Sequence, residues 1–400
     1  MGLSRKTILL ITLVSFLGWM LFIFALGTPL KPNFDEFHYV PAAKQFLNSG
    51  KNQNWEHPPL TKVLIALGIR IFGDEPLGWR IMSTVAGVVT LAGVGVLGAI
   101  WFGSLSVTLW VMLITLFNHL LYVQSRIAML DTFMFAAMIW SIVFFWSSCQ
   151  PKHTKSKLRL YLYLAGATLG LAISFKWFAV VLFLPYLASY VMRKSNRLHG
   201  AIALIVVPLV IYFGTFLPLL WLKQENYSFW DIFTLQKLIF EGQKRVVSPH
   251  PYTSSWWTWI FPIRPIWYAF DKEGEIVRGV LLIGNPMVMW FGLLSLIVSF
   301  WHTFKSKNSV ARWIVGLFFL FWLSWAIIPR KVHFYYYYYP AGMMLSFSLA
   351  YAFLKLNLHK LKWVYLGAVI FFFVYFFPVL SGIPIPSESF RQWMWFNSWI

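Results

Sequence analysis

Apolar runs about as long as a bilayer is thick, about 17–25 residues, recur along almost the whole chain. About eleven of them stand near 7–27, 81–102, 104–123, 129–148, 159–174, 176–192, 200–222, 279–301, 311–328, 335–354 and 362–380. Hydrocarbon offers no water to an unpaired backbone group, so such runs are read as helices. Strand-like alternation is absent, which argues against a barrel. A mean hydropathy of +0.66 with 12% charged residues excludes an ordinary soluble domain. The expected fold is all-α and polytopic, with residues 1–400 forming one membrane-embedded domain.

The first run follows Arg5 and Lys6 and shows no small-residue cleavage site, so it reads as a retained anchor. The lone Cys149 forms no internal disulfide and says little about redox compartment. No repeat, low-complexity linker or soluble domain is visible.

Basic residues in short connections mark the cytoplasmic side. They gather on alternate loops: Arg5 and Lys6; Lys152, Lys155, Lys157 and Arg159; Arg193, Lys194 and Arg197; Lys305, Lys307 and Arg312; Lys355, Lys360 and Lys362. The N-terminus is therefore expected inside, and the acids fall on the other face. The formal charge of +20 is a topology signal rather than a nucleic-acid signal. Two outer segments are long, about 28–79 and 223–278. The other outer connections are short, yet they carry Arg126, Lys176, Arg330 and Lys331 on the side the charge rule disfavours. Residues that break a rule of this kind mark candidate functional positions.

Asp35 and Glu36 stand side by side at the end of the first run. Neighbours in sequence do not share a helix face, so the two carboxylates are expected to do different jobs. Phe34, Phe37, His38 and Tyr39 crowd them toward low dielectric, where a carboxyl becomes a better base. The alternative is an ordinary solvated loop. Residues 54–73 place Leu60, Val63, Leu64, Leu67 and Ile71 at helical spacing after Pro58 and Pro59, with His57 and Lys62 at the start. The run is too short to span, so an interfacial or re-entrant amphipathic helix is expected.

Arg126 and Asp131 lie five residues apart, either as a salt bridge or with Arg126 facing an anionic ligand. Lys176 either snorkels or binds that ligand. His250, Trp256 and Arg264 lie in an aromatic-rich outer stretch that reads as an interfacial belt or as a sugar-stacking surface. Arg330, Lys331 and His333 form the densest basic cluster, ahead of five tyrosines. Carboxylates and dispersed cations on one face, among aromatics, suit a ligand with an anionic head and a greasy tail. Asp35, Glu36 and nearby histidines leave a divalent cation open, although diagnostic ligand spacing is missing.

Several short strings carry a resemblance: "FDEFHY", "EHPPLTK", "FGDEPLGWR", "RIAMLD", "GLAISFKW", "HPYTSSWWTW", "GNPMVMWFG" and "HFYYYYYP". None is specific alone. Their order along most of the chain resembles the protein O-mannosyltransferase family, within the GT-C class of polytopic glycosyltransferases. The resemblance implies a polyprenyl- or dolichyl-phosphate sugar donor, mannose above all, and inversion at the anomeric carbon. It implies that Asp35 is the base for an acceptor hydroxyl, on protein serine or threonine, and that Arg126 belongs to the donor site. The second long outer segment lacks the soluble β-trefoil insertion of eukaryotic members, which points to a homologue in a prokaryotic plasma membrane. Displacement at the anomeric carbon needs a base on one side and cations on the leaving phosphate on the other. The sequence leaves two rivals: an aminoarabinose-type transferase acting on lipid A or another glycolipid, and a secondary transporter. A transporter should place its ionisable residues near the midplane and show inverted repeats.

Overall fold

The structure, a computed structural model, describes residues 2–151, 153–192, 197–245 and 250–400. Lys152, Arg193 and Lys194 lie outside the described residues.

Sixteen α-helices follow one another among the described residues. They are α1 (Arg5–Ile23), α2 (Glu36–Leu47), α3 (Leu60–Phe72), α4 (Pro76–Phe102), α5 (Leu105–Leu116), α6 (His119–Gln124), α7 (Leu130–Ser148) and α8 (Lys155–Phe175). The second half adds α9 (Phe183–Met192), α10 (Arg197–Ala201), α11 (Val207–Gly214), α12 (Asp231–Arg245), α13 (Pro286–Lys305), α14 (Ser309–Ile327), α15 (Tyr339–Lys355) and α16 (Leu361–Ser381). Their starts follow from local chemistry. Ser4, Ser104, Thr154 and Asn308 each accept an N–H of the first turn through the side chain.

Among the described residues eight helical stretches are long and apolar enough to cross a membrane, one of them, Arg197–Trp221, running through α10 and α11. The chain is a multi-pass membrane protein. The expected count of eleven differs because three of the expected runs are shorter helices, over Leu105–Leu116, Trp177–Val191 and Tyr339–Lys355. The run expected at 279–301 is also divided. Its first residues belong to strand β2 (Ile276–Leu282), and the helix starts at Pro286. Asn285 caps that helix on Met287 N, and proline suits its first turn.

The chain forms two compact units. The first comprises Asp35–Leu97 and Ala128–Arg245. Its α7 is the most enclosed of the spanning helices and packs on α8. Gly166 and Gly170 of α8 admit a close approach. A Cβ on Gly166 would stand 1.7 Å from the Ala203 carbonyl oxygen, and one on Gly170 2.8 Å from Pro208 Cα. Small residues four apart allow such contact between helix backbones. In the same unit α2 and α3 pair around Tyr39, Val40, Ile65, Ala66 and Ile69.

The amphipathic helix expected over 54–73 is α3, with its core on the other side from the expected apolar stripe. Thr61, Lys62, Ile65, Ala66 and Ile69 are buried, whereas Leu67 and Ile71 of the expected stripe are exposed. The helix has apolar side chains on both sides, so periodicity alone did not tell core from surface. An apolar stripe turned outward is what an interfacial helix offers to lipid.

The second unit comprises Leu3–Phe34, Gly98–Ile127 and Val246–Ile400. Its α15 is buried continuously from Tyr339 to Ala352, with α13, α14 and α5 packed on it. The unit also holds a small sheet that the all-α expectation lacked. Strand β1 (Ile266–Glu273) pairs antiparallel with β2 through a turn at Gly274, φ 57°, and β3 (Ile385–Pro386) pairs with β2. Left-handed φ is why glycine stands at that turn.

Candidate active site

In the first unit the two acids at the start of α2 meet different surroundings. Glu36 is 0% exposed, and its carboxylate receives Arg80 Nε and Nη2, each at 2.9 Å. Glu36 Oε1 also accepts the Ala128 N–H at 2.9 Å. A buried charge is tolerated when paired and hydrogen-bonded in this way. Asp35, at the N-cap position of α2, is half-buried, with the Tyr39 hydroxyl 3.5 Å from Oδ2. The residue before it, Phe34, has φ 48°, a left-handed conformation that is uncommon without glycine.

Lys62, also fully buried, gives its ammonium to the carbonyls of Asn54 at 2.6 Å and His57 at 3.0 Å. Burial pulls its pKa down to about 7, with Glu56 pulling the other way. The His57 ring stands edge-on to Tyr39 at 6.0 Å. Asp131 has a cation partner in its own unit, Lys176. It holds Lys176 Nζ through both oxygens, at 2.8 and 2.9 Å, in a buried pair.

In the second unit Arg126 is 7% exposed. It donates to the carbonyls of Phe22, in the last turn of α1, and of Phe24 and Ala25 just past it, and its guanidinium lies over the Tyr122 ring. His250 accepts the Tyr252 N–H on Nδ1 at 3.2 Å, which leaves the proton of the neutral ring on Nε2. Its ring packs with those of Phe34 and Phe334, and burial lowers its pKa. The Ser254 N–H donates to the His333 carbonyl, tying this stretch to the basic cluster. Arg330 lies over Tyr337 at 5.3 Å, and Tyr337 stacks on Trp325 at 4.1 Å. Burial lowers the His333 pKa, and Arg330 lowers it further. Lys331 is exposed, and Trp256 packs on Trp322.

Of the residues singled out from sequence, the structure joins Asp35 to His57 through Tyr39, and Lys62 to His57 through a carbonyl. Sequence reasoning assigned no role to Arg80, although it ends the string "FGDEPLGWR". Glu36 needed a cation, and that string held the candidate. Among the described residues no three of His, Cys, Asp and Glu come together as a metal site.

Comparison with known proteins gives the same direction throughout. A family model described as "Dolichyl-phosphate-mannose-protein mannosyltransferase" matches residues 11–223. A second, the "C-terminal four TMM region of protein-O-mannosyltransferase", matches residues 228–399. The polyprenol-phosphate-mannose–protein mannosyltransferase of Corynebacterium glutamicum is 26% identical over 94% of this chain and 89% of its own. That of Mycobacterium tuberculosis is 26% identical over 93% and 87%. The solved Saccharomyces cerevisiae Pmt1-Pmt2 complex bound to the sugar donor has a similar fold, with a TM-score of 0.85 at 14% identity over 100% of this chain and 93% of that one. ArnT of Cupriavidus metallidurans bound to undecaprenyl phosphate gives 0.60 at 18% identity, over 88% and 60%. The class is thus a polytopic membrane glycosyltransferase of the GT-C kind. Within it, the chain belongs to the protein O-mannosyltransferase family.

Proposed function

We propose that this enzyme moves a mannosyl group from a polyprenyl-phosphate carrier to a serine or threonine hydroxyl of a protein, on the outer face of a prokaryotic plasma membrane. The distribution of basic loops supports an inside N-terminus. Asp35 acts as the base. The acceptor oxygen attacks the anomeric carbon, its proton passes to Asp35, and the bond to the carrier phosphate breaks with its electron pair. The configuration inverts, and the phosphate stays on its lipid. No nucleotide takes part.

The observation that carries this reading is the division between two adjacent carboxylates. Arg80 closes Glu36 into a buried ion pair, while Asp35 stays half-buried. Glu36 fixes the start of α2, and Asp35 meets substrate. Arg330 and Lys331 hold the carrier phosphate, aided by the Nε2–H of His250. An arginine offers a planar two-pronged grip on phosphate. Lys176 and Arg126 act by holding a buried carboxylate and the end of α1.

The test is incubation of purified, reconstituted enzyme with labelled polyprenyl-phosphate sugars and either protein or glycolipid acceptors. Mannose transferred to protein supports the reading. Transfer only to glycolipid, or only of another sugar, overturns it.

A further inference from the structure

We propose that Lys62 is a positioning residue for the transfer step, acting by pinning the turn at 54–57 so that His57 braces Tyr39 against Asp35. The inference rests on the reading of Asp35 as the base.

The turn is held from two sides. From within, the Lys62 ammonium bridges the carbonyls at both ends, Asn54 and His57. Across the turn the His57 N–H reaches the same Asn54 carbonyl at 3.4 Å. Asn54 has φ 53°, a left-handed conformation that asparagine adopts more readily than most residues. From the other side α12 closes in. Gln243 Nε2 donates to the Glu56 carbonyl at 2.8 Å, and a Cβ on Gly242 would stand 2.9 Å from the Trp55 ring. The held turn presents His57 edge-on to Tyr39, a 4% exposed residue of α2 one helical turn after Asp35, with its hydroxyl 3.5 Å from Asp35 Oδ2.

A lysine is an expensive way to fill this space. Ile65 and Ala66 beside it are apolar, and an apolar side chain would pack there without burying an amine. What an apolar residue lacks is a donor able to reach two carbonyls. Burial, which draws the amine down to about 7 against the pull of Glu56, fits a group kept for its N–H bonds rather than for exposed charge.

The test uses the full chain in liposomes, with labelled polyprenyl-phosphate mannose as donor and a protein acceptor. The variants are Lys62→Met, Tyr39→Phe, their double, and Asp35→Asn. Readouts are kcat, KM for donor and the acid limb of the kcat–pH profile. Each single variant should lower kcat roughly tenfold with KM little changed, as for loss of a group acting in the transition state. The acid limb should move in both, and the double should fall no further than the worse single, because both act through one contact. Tyr39→Phe removes one hydroxyl only and decides the matter if Lys62→Met does not fold. Wild-type kcat and pH profile in Tyr39→Phe, or losses that multiply in the double, would overturn the proposal. If Asp35→Asn is inactive while the other folded variants behave as wild type, the positioning role alone is wrong. If Asp35→Asn turns over normally, the base assignment falls and this inference with it.

Discussion

Glu36 and Arg80, 44 residues apart in sequence, meet in two 2.9 Å hydrogen bonds where neither reaches solvent: Glu36 is 0% exposed and Arg80 1%. The pair fixes the first residue of α2 to α4. Breaking one side strands the other charge. Glu36→Gln or Arg80→Met should therefore cost about 3–5 kcal/mol of stability. Thermal unfolding in detergent checks this, and the double variant Glu36→Leu with Arg80→Met should recover part of the loss.

The Asp131–Lys176 pair makes a parallel prediction with a different consequence. Both carboxylate oxygens hold Nζ, and both side chains are buried. Lys176→Met should destabilise by about 3–5 kcal/mol. Turnover per folded molecule should change little. A selective loss of donor affinity without loss of stability would instead put Lys176 in contact with the donor.

Lys62 sets a dependence of stability on pH. In the unfolded chain its pKa is about 10.4, and in the folded protein about 7. Between those values the unfolded chain holds a proton that the folded one does not. Stability therefore rises with pH across that window, by up to about 1.4 kcal/mol per unit from this group. Unfolding temperatures of wild type and Lys62→Met between about pH 7 and 10 should show the slope in the first and its reduction in the second.

Arg126 reaches three carbonyls at the C-terminal end of α1, with both Nη atoms engaged. A lysine has the charge but not the fork. Arg126→Lys should lower both unfolding temperature and turnover. Wild-type values of both would show that the carbonyl contacts carry no weight.

Much of this was legible in the amino acids, and the gaps have physical causes. Apolar runs marked the spans because a bilayer demands them. The small sheet was hidden, because β2 (Ile276–Leu282) runs almost directly into an apolar helix, and only Ile283, Gly284 and Asn285 separate the two. The helix at 60–72 was visible in its period, but not which apolar face was the core. Asp35 and Glu36 stood out as a pair. That Arg80 would claim Glu36, and Lys176 would claim Asp131, depends on long-range packing that spacing does not encode. Lys62 stood out as a cation at the start of a helix, and its hold on the Asn54 and His57 carbonyls depends on how the turn before it folds back.

The decisive measurement is donor binding and single-turnover transfer by reconstituted Asp35→Asn. The amide keeps the shape of the carboxylate but cannot take a proton. Transfer should fall by about 10²–10⁴-fold, as expected for loss of a general base, while donor affinity and unfolding temperature stay near wild type. Turnover at the wild-type rate by Asp35→Asn would contradict the assignment of Asp35 as the base.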